Sequence, residues 1–417
     1  NNVNSDPLIL DTEHIKRVAG IADILRQYGI RTYLSIKWTS PMSLGGLKSA
    51  DPLDPAVLAW WKAKTDEICA LIPDFGGFLV KANSEGQAGP QDYGRTHADG
   101  ANMLAEALRP HGGIVMWRAF VYSPTSPDRA NQAVEEFLPL DGEFADNVII
   151  QVITQEYLGF SNHLVYLGPA FEECLDSDTY ADGPGSSVAR RVRAIAGVAN
   201  TGQDPNFCGY IFAQGNWYAF GRLAWNPEES TESITSDWIK STWNCDEATL
   251  EVIRQMMMPT WESFVCAHAP YSLGFTVKRE DHYTAGFEQR ANKEWHVSKE
   301  SIGTDRTTKG TNYVSQYFKY NKDIFNSLSQ CPELYLLCFH NVPWSHKMKS
   351  GKSLREEFKS NLKRGIEQVD VNIGLWKSIR NKIDPVRYEE VLESLYKEQR
   401  DTKVFYQAAL NFFSQYW

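Results

Sequence analysis

Through the first half of the chain, short apolar runs alternate with stretches whose apolar positions recur every three or four residues. The short runs are Thr32–Lys37, Gly77–Lys81, Ile114–Arg118, Val148–Val152 and Tyr210–Gln214, and they read as buried strands. Helical periodicity lies between them, near 12–28, 55–71, 98–110, 128–137 and 186–200. This alternation predicts a parallel sheet with crossover helices, built either as a barrel or as a doubly wound open sheet. No Gly-x-Gly-x-x-Gly turn occurs, which argues against a dinucleotide site. After residue 240 the texture changes. Long helical patterns at 246–268, 311–329, 353–369 and 384–415 dominate, with one strand candidate at Leu334–Phe339 and polar loops at Ile302–Lys309 and Pro343–Gly351. The pattern predicts a strand-and-helix domain over 1–240 and a mainly helical domain over 241–417.

Composition changes this picture only a little. The chain has 417 residues, 42% of them hydrophobic and 23% charged, as in ordinary globular proteins. A net charge of −10 argues against a nucleic-acid partner and against binding to anionic membranes. No run of 18 apolar residues predicts membrane insertion. The seven cysteines form no Cys-x-x-Cys pair, so reduced thiols in a reducing, cytoplasmic setting are expected; the opening Asn1-Asn2-Val3-Asn4 reads as the middle of a domain, so a periplasmic or secreted location stays open. With 13 Trp, 19 Tyr and 20 Phe, the aromatic content suits either a large core or a sugar-stacking cleft.

The candidate chemistry sits where strands end. Four of these five strand candidates close on a charged or amide residue, Lys37, Lys81, Arg118 and Gln214, and polar side chains at strand exits are what the rim of a parallel barrel requires. Gly77-Phe-Leu-Val-Lys81 runs into a polar loop holding Asn83, a candidate substrate contact, and Glu85, which places a candidate general acid four residues from a cation. Glu156 follows the run Val148–Val152 and is the second candidate carboxylate, since glycosidases work with a pair. Arg118 can pair with a protein carboxylate or clamp a substrate carboxylate through two parallel hydrogen bonds. Trp38, Trp217, Tyr218 and Trp225 follow strand candidates and are candidates for stacking on sugar rings, whereas Trp60 and Trp61 read as helix packing. No His-x-His or His-Glu-x-x-His spacing suggests a metal, and no Gly-x-Ser-x-Gly elbow suggests a serine hydrolase.

Several of these stretches together resemble the α-glucuronidases of glycoside hydrolase family 67. They are Ser40–Gly46, Ala50–Pro55, Pro73–Gly86, Tyr93–Asn102, Ile153–Gly159, Asn216–Pro227, Val342–Trp344 and Lys347–Gly351. The resemblance implies a (β/α)8 barrel followed by a mainly helical domain, often in a homodimer, with no metal or cofactor. It implies inverting hydrolysis of the α-1,2 link between (4-O-methyl-)glucuronic acid and the terminal xylose of xylan-derived oligosaccharides. Residue by residue, it implies Glu85 as general acid, Glu156 as one of two carboxylates on the water side, Lys81 and Arg118 on the uronic acid, and Val3 lining the sugar pocket. Two departures accompany it: an amino-terminal domain with the first barrel strand is missing, and Val152 runs directly into Ile153 where the family carries a segment with a Lys and the second base-side Asp. A non-catalytic uronic-acid-binding protein that has lost part of its base is the alternative reading.

Overall fold

A computed structural model of the chain describes residues 6–84, 86–119, 128–152, 163–192, 210–278, 283–287 and 295–417. It divides into two compact units, residues 1–155 and 156–417.

The first unit is built on four parallel strands: β1 (Tyr33–Ile36), β2 (Gly77–Val80), β3 (Ile114–Ala119) and β4 (Val148–Val152), in the spatial order β1-β2-β3-β4. Helices Thr12–Arg26, Pro55–Leu71, His97–Leu108 and Arg129–Phe137 precede or connect them. Each helix start is written locally. Asp11 accepts from the His14 amide, Asp54 from Ala56 with Pro55 at the first turn, and Thr96 and Asp99 form a reciprocal capping box. Four of the five strands expected in the first half of the chain are therefore present.

Strand periodicity sorts the side chains. Leu34, Ile36, Phe78, Val80, Val115 and Trp117 share one core with Ile15, Val57, Trp61, Ile68, Ala101 and Leu104 of the helices. The residues between them face the other way and are less covered: Ser35, Leu79 and Met116 are half-buried, and Ile149 is 40% exposed. Two glycines let the strands approach. At Gly77, φ is 133° and a Cβ would fall 1.8 Å from the Ile114 carbonyl oxygen of β3. At Gly76 a Cβ would meet the Tyr33 ring at 2.3 Å.

The second unit is mainly helical. Two long helices, Leu354–Ser378 and Pro385–Phe413, are joined by a short connection and pack on each other. Their starts carry a Ser353–Glu356 capping box and an Asp384 cap with Pro385 next to it. Helices Ile211–Trp225, Thr231–Trp243 and Glu247–Met257 close around Phe212, Trp238, Trp243, Trp376 and Tyr388. A small antiparallel sheet joins β5 (His296–Val297), β6 (Ser301–Gly303) and β7 (Asn341–Pro343).

Several expectations need correction here. Tyr210–Gln214 is not a strand but the start of helix Ile211–Trp225. Its buried positions Phe212, Gly215, Ala219 and Leu223 have helical spacing, which a five-residue window cannot display. Leu334–Phe339 is likewise helical, split between a 3-10 turn (Glu333–Tyr335) and Leu336–Phe339. The pattern at 246–268 is two helices broken at Pro259, which has no amide hydrogen to continue the ladder. Within 311–329, Asn312 is left-handed (φ 61°) and only Lys319–Asn326 is α-helical. Part of each expected polar loop is strand: Ile302 lies in β6 and Pro343 ends β7.

The tight contact between β2 and β3 gives a direct test. Gly77→Ala should destabilise the chain by about 3 kcal/mol or more, combining a disfavoured positive φ with overpacking against backbone that cannot yield. Urea denaturation measures it; a change below about 1 kcal/mol would mean the strands are not held this closely.

Candidate functional site

The register of the sheet fixes what stands at its carboxyl edge. Ile36 pairs with Val80, Val80 with Trp117 and Trp117 with Ile150, so these four form one rung. One residue further along come Lys37, Lys81, Arg118 and Gln151, of which Arg118 and Gln151 are themselves paired. Since Val80 and Trp117 face the helices, Lys81 and Arg118 leave the strands on the opposite face. Both are well buried, at 5% and 6% exposure. Two cations on adjacent strands at this depth are stable only where negative charge faces them, from protein carboxylates or from a bound anion. The structure thus brings together two of the residues expected to hold a uronate.

The loop leaving β2 is stapled to its surroundings. Asn83 adopts a left-handed backbone (φ 49°), and its side-chain oxygen accepts from the Gln91 amide at 3.0 Å. Asp92 accepts from the Gly89 amide at 2.9 Å, and a Cβ on Gly89 would lie 2.1 Å from the Asn83 oxygen. Ser84, 2% exposed, accepts through its carbonyl from the Gln87 amide at 2.9 Å, and Gly86 takes φ 75°. Asn83, the candidate substrate contact, uses its side-chain oxygen to hold this loop. Glu85 itself, Glu156 and Val3 lie outside the described residues.

Trp38 needs a correction. It is 2% exposed, packed edge-on against Trp117 at 5.7 Å between ring centres, with no free face for a sugar. Parity explains it: two residues beyond Ile36, it returns to the helix side of the sheet. Trp217 lies on helix Ile211–Trp225 of the second unit, half-buried and edge-on to Phe220 at 5.6 Å, rather than after a strand. Tyr218 is on the same helix and accepts from Arg222 at 2.7 Å, and Trp225 is 91% exposed.

One arrangement beside Arg118 escapes a reading of the sequence. The Trp117 indole N–H donates to Nδ1 of buried His97 at 3.2 Å, which leaves the imidazole proton on Nε2 to donate to Glu136 at 3.0 Å. Burial works against the charge of Glu136, but the hydrogen bonds from His97 and Gln132 outweigh it and hold the carboxyl below its usual range. This chain fixes Trp117, and with it the residue that follows. Only the capping motif around Thr96 hinted that His97 opens a helix into the core.

The second unit holds a cavity of about 300 Å³, counting its open part, lined among others by His163, His268, Asn372, Glu398 and Thr402. Glu398 is 6% exposed and accepts from the Leu164 amide at 2.9 Å; burial pushes its carboxyl up to about 8. Burial also pushes His163 down to about 4, against the pull of Asp401, and His268 down to about 3. His268 donates from Nδ1 to the Phe264 carbonyl at 3.1 Å. At neutral pH these three buried side chains are therefore largely uncharged. Among the described residues, no group of three His, Cys, Asp or Glu side chains could hold a metal ion, and no helix is long and apolar enough to cross a membrane.

Comparison with known families places this parallel sheet with buried cations at its carboxyl edge, and the helical unit, among the glycoside hydrolases. The chain belongs to glycosyl hydrolase family 67: the middle-domain profile matches residues 1–153 and 152–207, and the C-terminal profile matches 208–417. The middle-domain match breaks at Val152–Ile153. The chain is similar to Alpha-glucuronidase A of Emericella nidulans, 39% identical over 99% of this chain and 55% of that protein. Probable alpha-glucuronidase A proteins of Aspergillus clavatus and Aspergillus flavus are 38% and 36% identical, covering 95% and 100% of this chain and 53% and 55% of their own. The chain therefore spans about half the length of the curated relatives it matches. The first alignment runs over 470 residues, more than the 417 present here, so the relative carries residues that have no counterpart in this chain.

Glu398 sets a pH dependence whose sign follows from its environment. Its folded value is raised above the ordinary 4.5, so the stability tied to its neutral form is fully present below about pH 4.5 and is lost progressively up to about pH 8. Glu398→Gln keeps an acceptor for Leu164 and cannot ionise. The variant should therefore gain stability relative to the parent as pH rises through that window, as read from thermal melts at several pH values. Parallel curves for the two proteins would show that Glu398 is not held neutral.

Proposed function

We propose that this chain carries catalytic residues of an α-glucuronidase that hydrolyses, with inversion, the α-1,2 link between (4-O-methyl-)glucuronic acid and the terminal xylose of xylooligosaccharides. The single observation that carries the reading is the burial of Lys81 and Arg118 side by side at the carboxyl edge of β2 and β3, next to the loop that contains Glu85. Family membership and the names of the relatives, Alpha-glucuronidase A among them, support it. The architecture is compatible with four successive strands of a (β/α)8 barrel. Helices cover one face of the sheet, while Leu79, Met116 and Ile149 on the other stay half-buried or exposed, although parallel sheets are ordinarily covered on both faces.

In this mechanism Glu85 is the general acid and protonates the xylose oxygen as the glycosidic bond breaks. Glu156 acts on the opposite side of the ring, taking a proton from the attacking water together with the Asp of the segment absent between Val152 and Ile153. Inversion requires about 6.5–9.5 Å between acid and base, room for that water. Lys81 and Arg118 hold the uronate, Arg118 through paired hydrogen bonds and Lys81 as a point charge, and so select against neutral sugars. Resemblance to the family also supports a homodimer, which sedimentation of the whole protein would show as twice the monomer mass.

Incubation of the whole protein with aldotriouronic acid, followed by NMR, tests the reading. The β-anomer of glucuronic acid should appear first, and Glu85→Gln should lower turnover by about 10²- to 10⁴-fold with substrate binding retained. First release of the α-anomer would contradict inversion. Binding without release would favour a non-catalytic uronic-acid-binding protein, and undiminished turnover of Glu85→Gln would remove that residue from the acid role.

A further inference from the structure

The row at the carboxyl edge contains a third cation that the mechanism above does not use. Lys37 follows Ile36, which pairs with Val80 of β2, so Lys37 stands level with Lys81 and, one strand further, with Arg118. Neighbouring strands lie about 4.8 Å apart, which puts the three Cα atoms within roughly 10 Å. The direction of the side chain follows from its neighbours. Ile36 and Trp38, 1% and 2% exposed, are both in the core on the helix side, so Lys37 between them leaves on the face used by Lys81 and Arg118.

Its backbone is fixed. The Lys37 carbonyl accepts from the Ser40 amide at 3.1 Å and from the Ser40 hydroxyl at 2.7 Å, and Ser40 is fully buried at the start of the short helix Ser40–Ser43. The ammonium is not spent on any of the described residues. Lysines on the helices of this unit pair with acids close in sequence, as Lys16 does with Glu13, Lys62 with Asp66 and Lys64 with Glu67. Half-buried Lys37 makes no ion pair or side-chain hydrogen bond among the described residues. A lysine held at a sheet edge beside two buried cations raises the local potential, and nothing in the packing of β1 calls for it.

We infer that Lys37 is a third cation of the anion site, a positioning and specificity-determining residue that favours a sugar carboxylate over a neutral sugar. The inference rests on the proposed function and adds a residue to its site. A single flexible ammonium supplies field rather than a fixed fork, so its effect falls on affinity and discrimination more than on the chemical step.

The test compares Lys37→Gln and Lys37→Arg with the parent in the whole protein. It uses steady-state kinetics on aldotriouronic acid, inhibition by free glucuronate and by glucose, and thermal melting. Lys37→Gln should raise KM and the glucuronate inhibition constant about tenfold, with kcat within about twofold and melting unchanged. Inhibition by glucose should not move, and Lys37→Arg should recover most of the loss. Unchanged KM and glucuronate inhibition in Lys37→Gln, with an active parent, would overturn the inference and leave the proposed function standing. Equal loss toward glucuronate and glucose together with lower melting would assign Lys37 a structural role and also overturn it. A parent that releases no glucuronic acid would instead refute the proposed function.

Discussion

The in-register pairing of four parallel strands is the constraint from which the rest of the first unit follows. Ile36, Val80, Trp117 and Ile150 share one rung and carry the apolar face of the sheet against the helices. The next residue on each strand is then obliged to stand on the opposite face at the carboxyl edge. A slip of one residue in β2 or β3 would turn Lys81 or Arg118 into a core packed with Trp61, Phe78 and Leu104. The hydrophobic side thus fixes the register, and the register fixes the charge. Gly77 makes the close approach possible, since any side chain there would strike the backbone of β3.

Charge at the edge is supported from below and beside. Under it, Trp117 is anchored through His97 to Glu136. Beside it, the loop containing Glu85 is tied back through Asn83, Gly89, Asp92 and Ser84, all by hydrogen bonds within the loop and its immediate neighbours. Polar side chains that do not touch a substrate can still set how well those that do are placed. The second unit is stabilised differently, by a large aromatic core, and burial beside it holds Glu398, His163 and His268 mostly uncharged.

Much of the first unit was legible because its signals are local. The helix Pro55–Leu71 has a capping Asp54 and a Pro at its first turn, and its bounds agree with the pattern in the sequence. Strands β1 to β4 were visible as apolar runs, the first three of them read as ending in Lys37, Lys81 and Arg118. Trp38 was misplaced for a reason that parity could have corrected, since a residue just past a strand end still alternates between faces. Short apolar runs misled at Tyr210–Gln214 and Leu334–Phe339, where helix and strand look alike over so few residues. The Trp117–His97–Glu136 chain and the meeting of Leu164, His268 and Glu398 around one cavity were not legible at all. Their members are far apart in the sequence and meet only through tertiary packing. Of the acidic pair, the sequence supplied Glu85 and Glu156 as candidates through family resemblance more than through spacing, which says nothing of how far apart two carboxylates stand.

The central claim is that the carboxyl edge of β2 and β3 holds a sugar carboxylate between Lys81 and Arg118. A crystal of the whole protein soaked in glucuronic acid examines it most directly. The account predicts the carboxylate within hydrogen-bonding distance of the Lys81 ammonium and the Arg118 guanidinium, with the ring lying toward the loop after β2. Glucuronic acid bound with its carboxylate away from both side chains would contradict it.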